Sequence, residues 1–195
     1  MHRACEYLAY WVMSGRMRGT SEEVVALNTQ INKERGRSFN HAVAEALGAL
    51  PDLIVKRNVK KVGKLHTVGD IDVLVVDPAR KRIFVIECKD LMAARTPYEL
   101  HTELLKLFAG AGGKKSLVQK HLARVTWVRS HLQAVLAFVG LEKRGDWQVK
   151  EMIVTDSEML SPFMRECPAT VVPFEQFKQF GLYGLVPLAT SGSER

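Results

Sequence analysis

The chain has 195 residues, of which 47% are hydrophobic and 25% are charged, a balance typical of soluble globular domains. This composition excludes a disordered chain, a collagen-like fibre and a disulfide-stabilised miniprotein, and no apolar run approaches the roughly 20 residues that span a bilayer. The 28 lysines and arginines exceed the 21 aspartates and glutamates, which gives a net charge of +7 and an isoelectric point of about 9.4. We therefore expect a cytoplasmic protein without a membrane span, whose basic character favours an acidic partner such as nucleic acid.

Zinc sites and phosphate loops are both excluded by residue spacing. The three cysteines, Cys5, Cys88 and Cys167, form no CxxC pair, and none of the histidines completes a zinc spacing. We expect the three cysteines to be free thiols in a reducing compartment. The glycine-rich stretch near residue 110 would need glycine in place of Phe108 and serine or threonine in place of Lys115 to match the phosphate-loop motif. We interpret it as a connection between helices.

Helical patterns dominate the start of the chain. The predicted segments are a basic amphipathic segment over 1–19, a helix from about residue 20 to 35 and a further helix over 38–50. Either Thr20 or Ser21 caps the second helix, and Gly36 ends it. We expect a helical extension over 1–35, a single domain over 36–188 and a flexible tail over 189–195.

Three strands are predicted next, over 53–61, 71–76 and 82–89. Asp77 and Pro78 lie between the last two and are residue types that favour tight turns, so these strands are expected to form an antiparallel hairpin. Both faces of the hairpin are apolar. Such a sheet is covered on both faces, which indicates a central position between helices.

The second half alternates helices and strands. Thr96 and Pro97 have the residue types of a helix cap and a first helical position. The predicted elements are helices over 97–108 and 115–139, a strand over 148–154, a helix over 158–165, a strand over 169–172 and a helix over 174–180. This order is typical of an α/β fold with a mixed sheet flanked by helices.

The hairpin is also expected to bring two acidic residues together. If the oppositely charged Asp77 and Arg82 close the turn, the register places Asp72 opposite Glu87 on one face. Glu87 and Lys89 are two residues apart and share that face. Carboxylates this close repel unless a cation lies between them, and Mg²⁺ prefers such oxygen ligands. The alternative is an ordinary salt-bridge cluster in which Lys89 neutralises the acids.

Asp72, followed by Glu87-Cys88-Lys89 on the next strand, resembles the motif of the PD-(D/E)xK nuclease superfamily. This superfamily includes restriction endonucleases, archaeal Holliday-junction resolvases and repair nucleases. The resemblance covers residues 36–172 and implies a restriction-endonuclease-like αβββαβ core. It also implies that Asp72, Glu87 and the backbone carbonyl of Cys88 bind Mg²⁺ or Mn²⁺, that Lys89 is catalytic, and that the substrate is a nucleic-acid phosphodiester, most simply DNA.

The chain departs from this superfamily in its first core helix. Many members carry a glutamate there, whereas this chain has Asn40 at the matching position. Glu45 is close in sequence but lies about 200° round the helix from Val43 and is expected to face away from the core. Asn40 could hold a water or contribute to the metal site, the site could bind one metal, or the activity could be weakened.

Two groups of basic residues are candidates for phosphate contact. The first lies on the strand preceding the hairpin and comprises Lys56, Arg57, Lys60, Lys61 and Lys64. The second lies on the long helix and includes Lys120 and Arg124. Each has a simpler interpretation, as a solvated edge strand and as an exposed helix face.

Three functions are consistent with these patterns. The first is a metal-dependent DNA endonuclease, and the second is a catalytically weak module with the same fold that binds nucleic acid or a partner protein. The third is a structural domain of a larger assembly. A homodimer and membership of a longer protein or complex are both left open.

Overall fold

A computed structural model describes residues 12, 21–91, 94, 96–110 and 112–184. The predicted segment over 1–19, apart from Val12, and the predicted tail over 189–195 lie outside these residues. By its internal contacts the chain divides into two compact units, residues 1–39 and 40–195. No helix in the described part of the chain is long and apolar enough to cross a membrane.

Helix α1 spans Glu22–Gly48. Ser21 caps it through a hydrogen bond from the Val24 amide to the Ser21 hydroxyl, as one of the two predicted caps. The prediction of two helices separated at Gly36 was wrong, because α1 runs through this residue without a break. An internal glycine costs a helix only about 1 kcal/mol, which helix-forming neighbours can offset.

Five strands form one open sheet. They are β1 (Ile54–Val62), β2 (Leu65–Asp77), β3 (Arg82–Lys89), β4 (Gln148–Thr155) and β5 (Thr170–Pro173). Their spatial order is the order of the sequence. The pairs β1–β2 and β2–β3 are antiparallel, whereas β3–β4 and β4–β5 are parallel. The predicted α/β fold with a mixed sheet is therefore confirmed, and β3 is its central strand.

The hairpin has the predicted register. Asp77 pairs with Arg82 and Val73 pairs with Ile86. Strand β2 begins at Leu65 rather than at residue 71 because its first half pairs with β1 across a bulge between Val59 and Lys61. Alternation of hydrophobic residues along the strand does not reveal this half, which is largely exposed.

Helices surround the strands in the second half of the chain. They are α2 (Pro97–Leu104), extended by a π-helical turn over Leu105–Ala109, then α3 (Leu117–Ser130), α4 (Leu132–Phe138), α5 (Ser161–Met164) and α6 (Phe174–Gly184). Thr96 caps α2 by accepting a hydrogen bond from the Glu99 amide, as predicted.

The predicted helix over 115–139 is two helices, and this prediction was wrong. The chain leaves helical geometry at His131, whose φ is −116° and ψ is 29°. Its ring stacks on Trp127 with 4.4 Å between the centroids, and its Nδ1 lies 2.8 Å from the Trp127 carbonyl oxygen. The apolar spacing continues through the break, so periodicity alone does not reveal it.

Helices α3 and α4 cover one face of the sheet. Val125, Val128 and Leu136 pack with Leu74 and Val85 in one buried cluster. This packing places α3 over β2, β3 and β4. On the opposite face, Tyr183 of α6 packs edge-to-face against Phe84 of β3. The end of the central strand therefore lies beneath α3, where side chains of both elements meet.

Candidate active site at the end of the central strands

Strand β3 ends with Glu87, Cys88 and Lys89, which alternate between the two faces of the sheet. Glu87 and Lys89 continue the row of Ile83 and Val85, which faces α3 and α4. Glu87 is only 3% exposed although it is charged. A carboxylate in such a position is costly unless it is paired, so its partners define the site.

Two cations pair with Glu87. Its Oε1 lies 2.8 Å from the Nζ of Lys89, and its Oε2 lies 2.5 Å from the Nη1 of Arg124. The Lys89 side chain is 34% exposed and that of Arg124 only 14%. Both oxygens of the buried carboxylate are thus neutralised from two different elements, β3 and α3.

Asp72 lies beside this group, where the pairing of β2 with β3 ends. The last backbone pair on this side is Val73 with Ile86. One residue further, the Oδ2 of Asp72 accepts a hydrogen bond of 2.9 Å from the Cys88 amide. The structure therefore brings Asp72, Glu87 and Lys89 together at one end of the central strands.

The charges of the site act on one another. Burial raises the pKa of Asp72, and the neighbouring Glu87 raises it further, against the opposing effects of Lys89, the Cys88 amide and Arg124. Burial lowers the pKa of Lys89, but Glu87 and Asp72 outweigh it and the net pKa is raised. Lys89 is therefore an ammonium at neutral pH, and it can orient a water or bind a phosphate as a donor.

The thiol of Cys88 belongs to the core rather than to the site. Cys88 is 4% exposed and buried with the hydrophobic residues. Burial raises the pKa of the thiol far above its usual range, and the negative charges of Asp72 and Glu87 act in the same direction. It is a poor nucleophile and a poor metal ligand, so only its backbone is of interest here.

The position of Arg124 could not be obtained from the sequence. The sequence makes Arg124, with Lys120 on the same helix, a candidate for phosphate contact or else part of an exposed helix face. The structure places Lys120 at the surface and the Arg124 guanidinium against Glu87. The two residues are 37 positions apart, and no spacing rule connects them.

A glycine of β2 makes room for this guanidinium. A Cβ atom at Gly69 would lie 3.3 Å from the Nε of Arg124 and 3.4 Å from its Nη2. Gly69 also has a φ of +81°, which disfavours other residues. Arg124 therefore passes directly over the backbone of β2.

His121 lies one turn before Arg124 on α3 and is fully buried. Burial lowers the pKa of His121 to about 4, and the positive charges of Arg124 and Lys89 act in the same direction. Neither ring nitrogen has a hydrogen-bond partner among the described residues. The imidazole is neutral at physiological pH and is a further residue of the site region to which the sequence assigned no role.

Asn40 lies on α1 and is partly buried. In the described part of the chain it is not among the hydrogen-bonding or charged partners of Asp72, Glu87 and Lys89. Glu45, on the same helix, is exposed as predicted. A role for Asn40 in holding a water or a metal stays a prediction.

The basic residues of the first group lie on an edge of the sheet. All five are exposed on β1 and on the turn that follows it. Arg57 contacts the ring of His41, and the Nζ of Lys60 lies 3.5 Å from the Oδ2 of Asp70. Asp70 is two residues before Asp72 on β2, so its ion pair with Lys60 links this end of β1 to the strand that carries Asp72.

The carboxylates can serve as ligands for one divalent cation. No group of three or more histidine, cysteine, aspartate or glutamate side chains within the described ranges has the geometry of a metal site. Mg²⁺, however, commonly takes one or two protein carboxylates and completes its shell with water and substrate phosphate oxygens. Asp72 and Glu87 supply two such groups at the same end of β2 and β3.

The fold and the site describe an α/β protein with a mixed sheet and a charged cluster at the ends of its central strands. Residues 7–154 match the model of a family described as anti-phage protein Upx-like, and the chain belongs to this family. No curated protein and no solved structure matches the chain.

Proposed function

We propose that this member of the anti-phage family is a metal-dependent nuclease that hydrolyses DNA phosphodiester bonds. The observation that carries the proposal is the meeting of Asp72, Glu87 and Lys89 at the ends of β2 and β3. The family supplies the setting, since its description is anti-phage and cleavage of phage nucleic acid is a chemistry that would serve such a role. A restriction-endonuclease-like core and kinship with the PD-(D/E)xK superfamily are part of the same proposal.

The order of the elements supports this proposal. The second half of α1 precedes three antiparallel strands, and α3 precedes β4, which adds to β3 in parallel. This is the αβββαβ order that the motif implies. It places an acid on the second strand and the acid and lysine on the third, all close to one end of the hairpin.

In the proposed reaction, Asp72, Glu87 and the Cys88 carbonyl would hold Mg²⁺ or Mn²⁺. The ion when bound would lower the pKa of a water and stabilise charge on the phosphate. Lys89 donates hydrogen bonds from its ammonium group to the oxygen of the attacking water or to a non-bridging oxygen of the scissile phosphate, and so keeps that group in place. The water oxygen bonds to phosphorus as the bond to the leaving deoxyribose oxygen breaks; the water loses a proton to solvent, and the leaving oxygen takes one from solvent.

The test is cleavage of supercoiled and single-stranded DNA in Mg²⁺, in Mn²⁺ and in EDTA. We expect the Glu87→Gln and Lys89→Met variants to lose cleavage by about 10²-fold or more. Glu151→Gln is the matched control, because Glu151 also pairs with an arginine of α3, at 2.7 Å, and is further from the site. Cleavage that persists in EDTA or in Glu87→Gln would contradict the proposal.

A second candidate function is binding without efficient cleavage. It is favoured by the complete neutralisation of Glu87 by Lys89 and Arg124 and by Asn40 in the first core helix. In that case DNA, or a partner protein, is bound but DNA is not cut. A salt-sensitive gel shift of uncut DNA that is the same in wild type and Glu87→Gln would support this function.

A further inference from the structure

We propose that Arg124 is a phosphate-binding residue of this site. In the free protein it pairs with Glu87, and when a divalent cation binds that carboxylate it pairs with a phosphate oxygen instead. The proposal rests on the nuclease function above and deepens it. It assigns a role to a residue of α3 that lies outside the Asp72 and Glu87-Cys88-Lys89 motif.

The charges of the cluster are the first argument. When both acids are ionised, Asp72 and Glu87 carry two negative charges, and Lys89 and Arg124 carry two positive charges, so the formal charge of the free cluster is zero. A divalent cation adds two positive charges at a carboxylate whose Oε2 is already 2.5 Å from Arg124. The cation and Arg124 therefore compete for Glu87, and a phosphodiester supplies the negative charge that the displaced arginine needs.

The hydrogen bonds of the guanidinium are the second argument. Arg124 donates to Glu87 through Nη1. Its Nε is buried and has no partner among the described residues. The edge that carries Nε and Nη2 faces the backbone at Gly69. A buried donor without an acceptor is unfavourable, and a phosphate can accept from two adjacent N–H groups of one arginine.

The surroundings of Arg124 on its own helix are the third argument. His121, one turn away, is a neutral imidazole and supplies no counter-charge. In the described part of the structure, Glu87 is the acceptor recorded for the Arg124 side chain. Once a cation weakens that contact, no second acceptor among the described residues holds the side chain, which is already 14% exposed.

The experiment measures Mn²⁺ binding by calorimetry, without DNA and with a duplex made uncleavable by phosphorothioate substitution. Arg124→Met removes the competing charge, so we expect it to bind Mn²⁺ more tightly than wild type without DNA, by about 5-fold or more. The duplex should tighten Mn²⁺ binding by wild type, and this gain should be several-fold smaller in Arg124→Met, where the phosphate is held by the ion and Lys89 without the arginine. Arg129→Met is the matched control, since Arg129 pairs with Glu151 from the same helix, and both affinities should equal those of wild type.

A second variant separates charge from geometry. Arg124→Lys keeps the positive charge and removes the planar pair of donors. We expect Mn²⁺ affinity close to wild type without DNA and a reduced gain with the duplex. Thermal unfolding followed by circular dichroism checks that each variant is folded.

Three results would overturn the inference in distinguishable ways. If folded Arg124→Met binds free Mn²⁺ no more tightly than wild type, Arg124 does not compete with the ion. If the duplex tightens Mn²⁺ binding in this variant as much as in wild type, Arg124 does not bind the phosphate. If wild type neither binds Mn²⁺ nor cuts DNA, the nuclease function fails, and the inference fails with it.

Discussion

At the scale of single residues, the site is a set of four charges in which each group depends on the others. Glu87 is buried with both oxygens paired, one to Lys89 and one to Arg124. Removal of one partner from a buried pair leaves an uncompensated charge and is strongly destabilising. The consequences for stability and for chemistry must therefore be measured separately for every substitution at this site.

The raised pKa of Asp72 predicts a pH-dependent stability effect. Burial and Glu87 favour the protonated acid in the folded state, so its contribution to stability is fully present below the unfolded pKa, near 3.8, and is lost as pH rises through the folded pKa. Asp72→Asn removes the charge, and the amide oxygen can still accept from Cys88. We expect the variant to be more stable than wild type at pH 7 in EDTA, because it no longer buries a carboxylate whose pKa is raised in the folded state.

Urea unfolding at several pH values measures this difference. We expect it to disappear below about pH 4, where Asp72 is protonated in both states. Asp70→Asn is a suitable control, since Asp70 is exposed and pairs with Lys60 at the surface. A variant that is less stable than wild type at neutral pH would show that the carboxylate contributes more through its contacts than it costs through burial.

At the scale of secondary-structure elements, the site depends on the close approach of α3 to β2. The contact is made by Arg124 over Gly69, a residue with positive φ. Gly63, in the turn between β1 and β2, also has positive φ, of +59°, but a Cβ atom there would meet nothing within 4 Å. Comparing a substitution at Gly63 with the same substitution at Gly69 therefore separates the cost of backbone strain from the cost of crowding Arg124.

Substitution of these glycines by alanine tests the approach of the helix to the strand. We expect Gly63→Ala to lower the free energy of unfolding by about 1 kcal/mol through its backbone conformation alone. Gly69→Ala should lower it further, because its methyl group also displaces the guanidinium from Glu87. Urea titration measures both values, and equal decreases would mean that Arg124 adapts to the methyl group without cost.

At the scale of the whole molecule, the net charge of +7 includes a row of basic residues on the edge strand β1. An edge strand rich in lysine also resists association with other sheets. The side chains of these basic residues are exposed, so they can serve either of two roles: contact with nucleic-acid phosphates or protection of the edge strand from association.

The salt dependence of DNA binding distinguishes these roles. Replacing Lys56, Lys60, Lys61 and Lys64 by glutamine should weaken DNA binding at low salt. It should also reduce the slope of log affinity against log salt by about 0.9 for each phosphate that the variant no longer neutralises. Fluorescence anisotropy with a labelled duplex in EDTA measures the slope. An unchanged slope would assign these lysines to solubility, and the thermal stability of the variant serves as the folding control.

Much of the fold and part of the site followed from local patterns. The charged pair Asp77 and Arg82 closes the hairpin in the structure as it was predicted to. The resulting register is what brings Asp72 to the Cys88 amide next to Glu87. These features depend on neighbours in sequence and on the two-residue period of a strand, which a single sequence displays.

Other features depend on packing between segments that are distant in the chain. The contact of Arg124 with Glu87, the neutral His121 beside it and the parallel addition of β4 to β3 arise because α3 packs over the sheet. The passage of α1 through Gly36 reflects a cost of about 1 kcal/mol that helix-forming neighbours offset, and the break at His131 accompanies the stacking of its ring on Trp127. The residues of the hairpin therefore predict that Asp72 and Glu87 meet, whereas packing between distant segments decides that Arg124 pairs with Glu87.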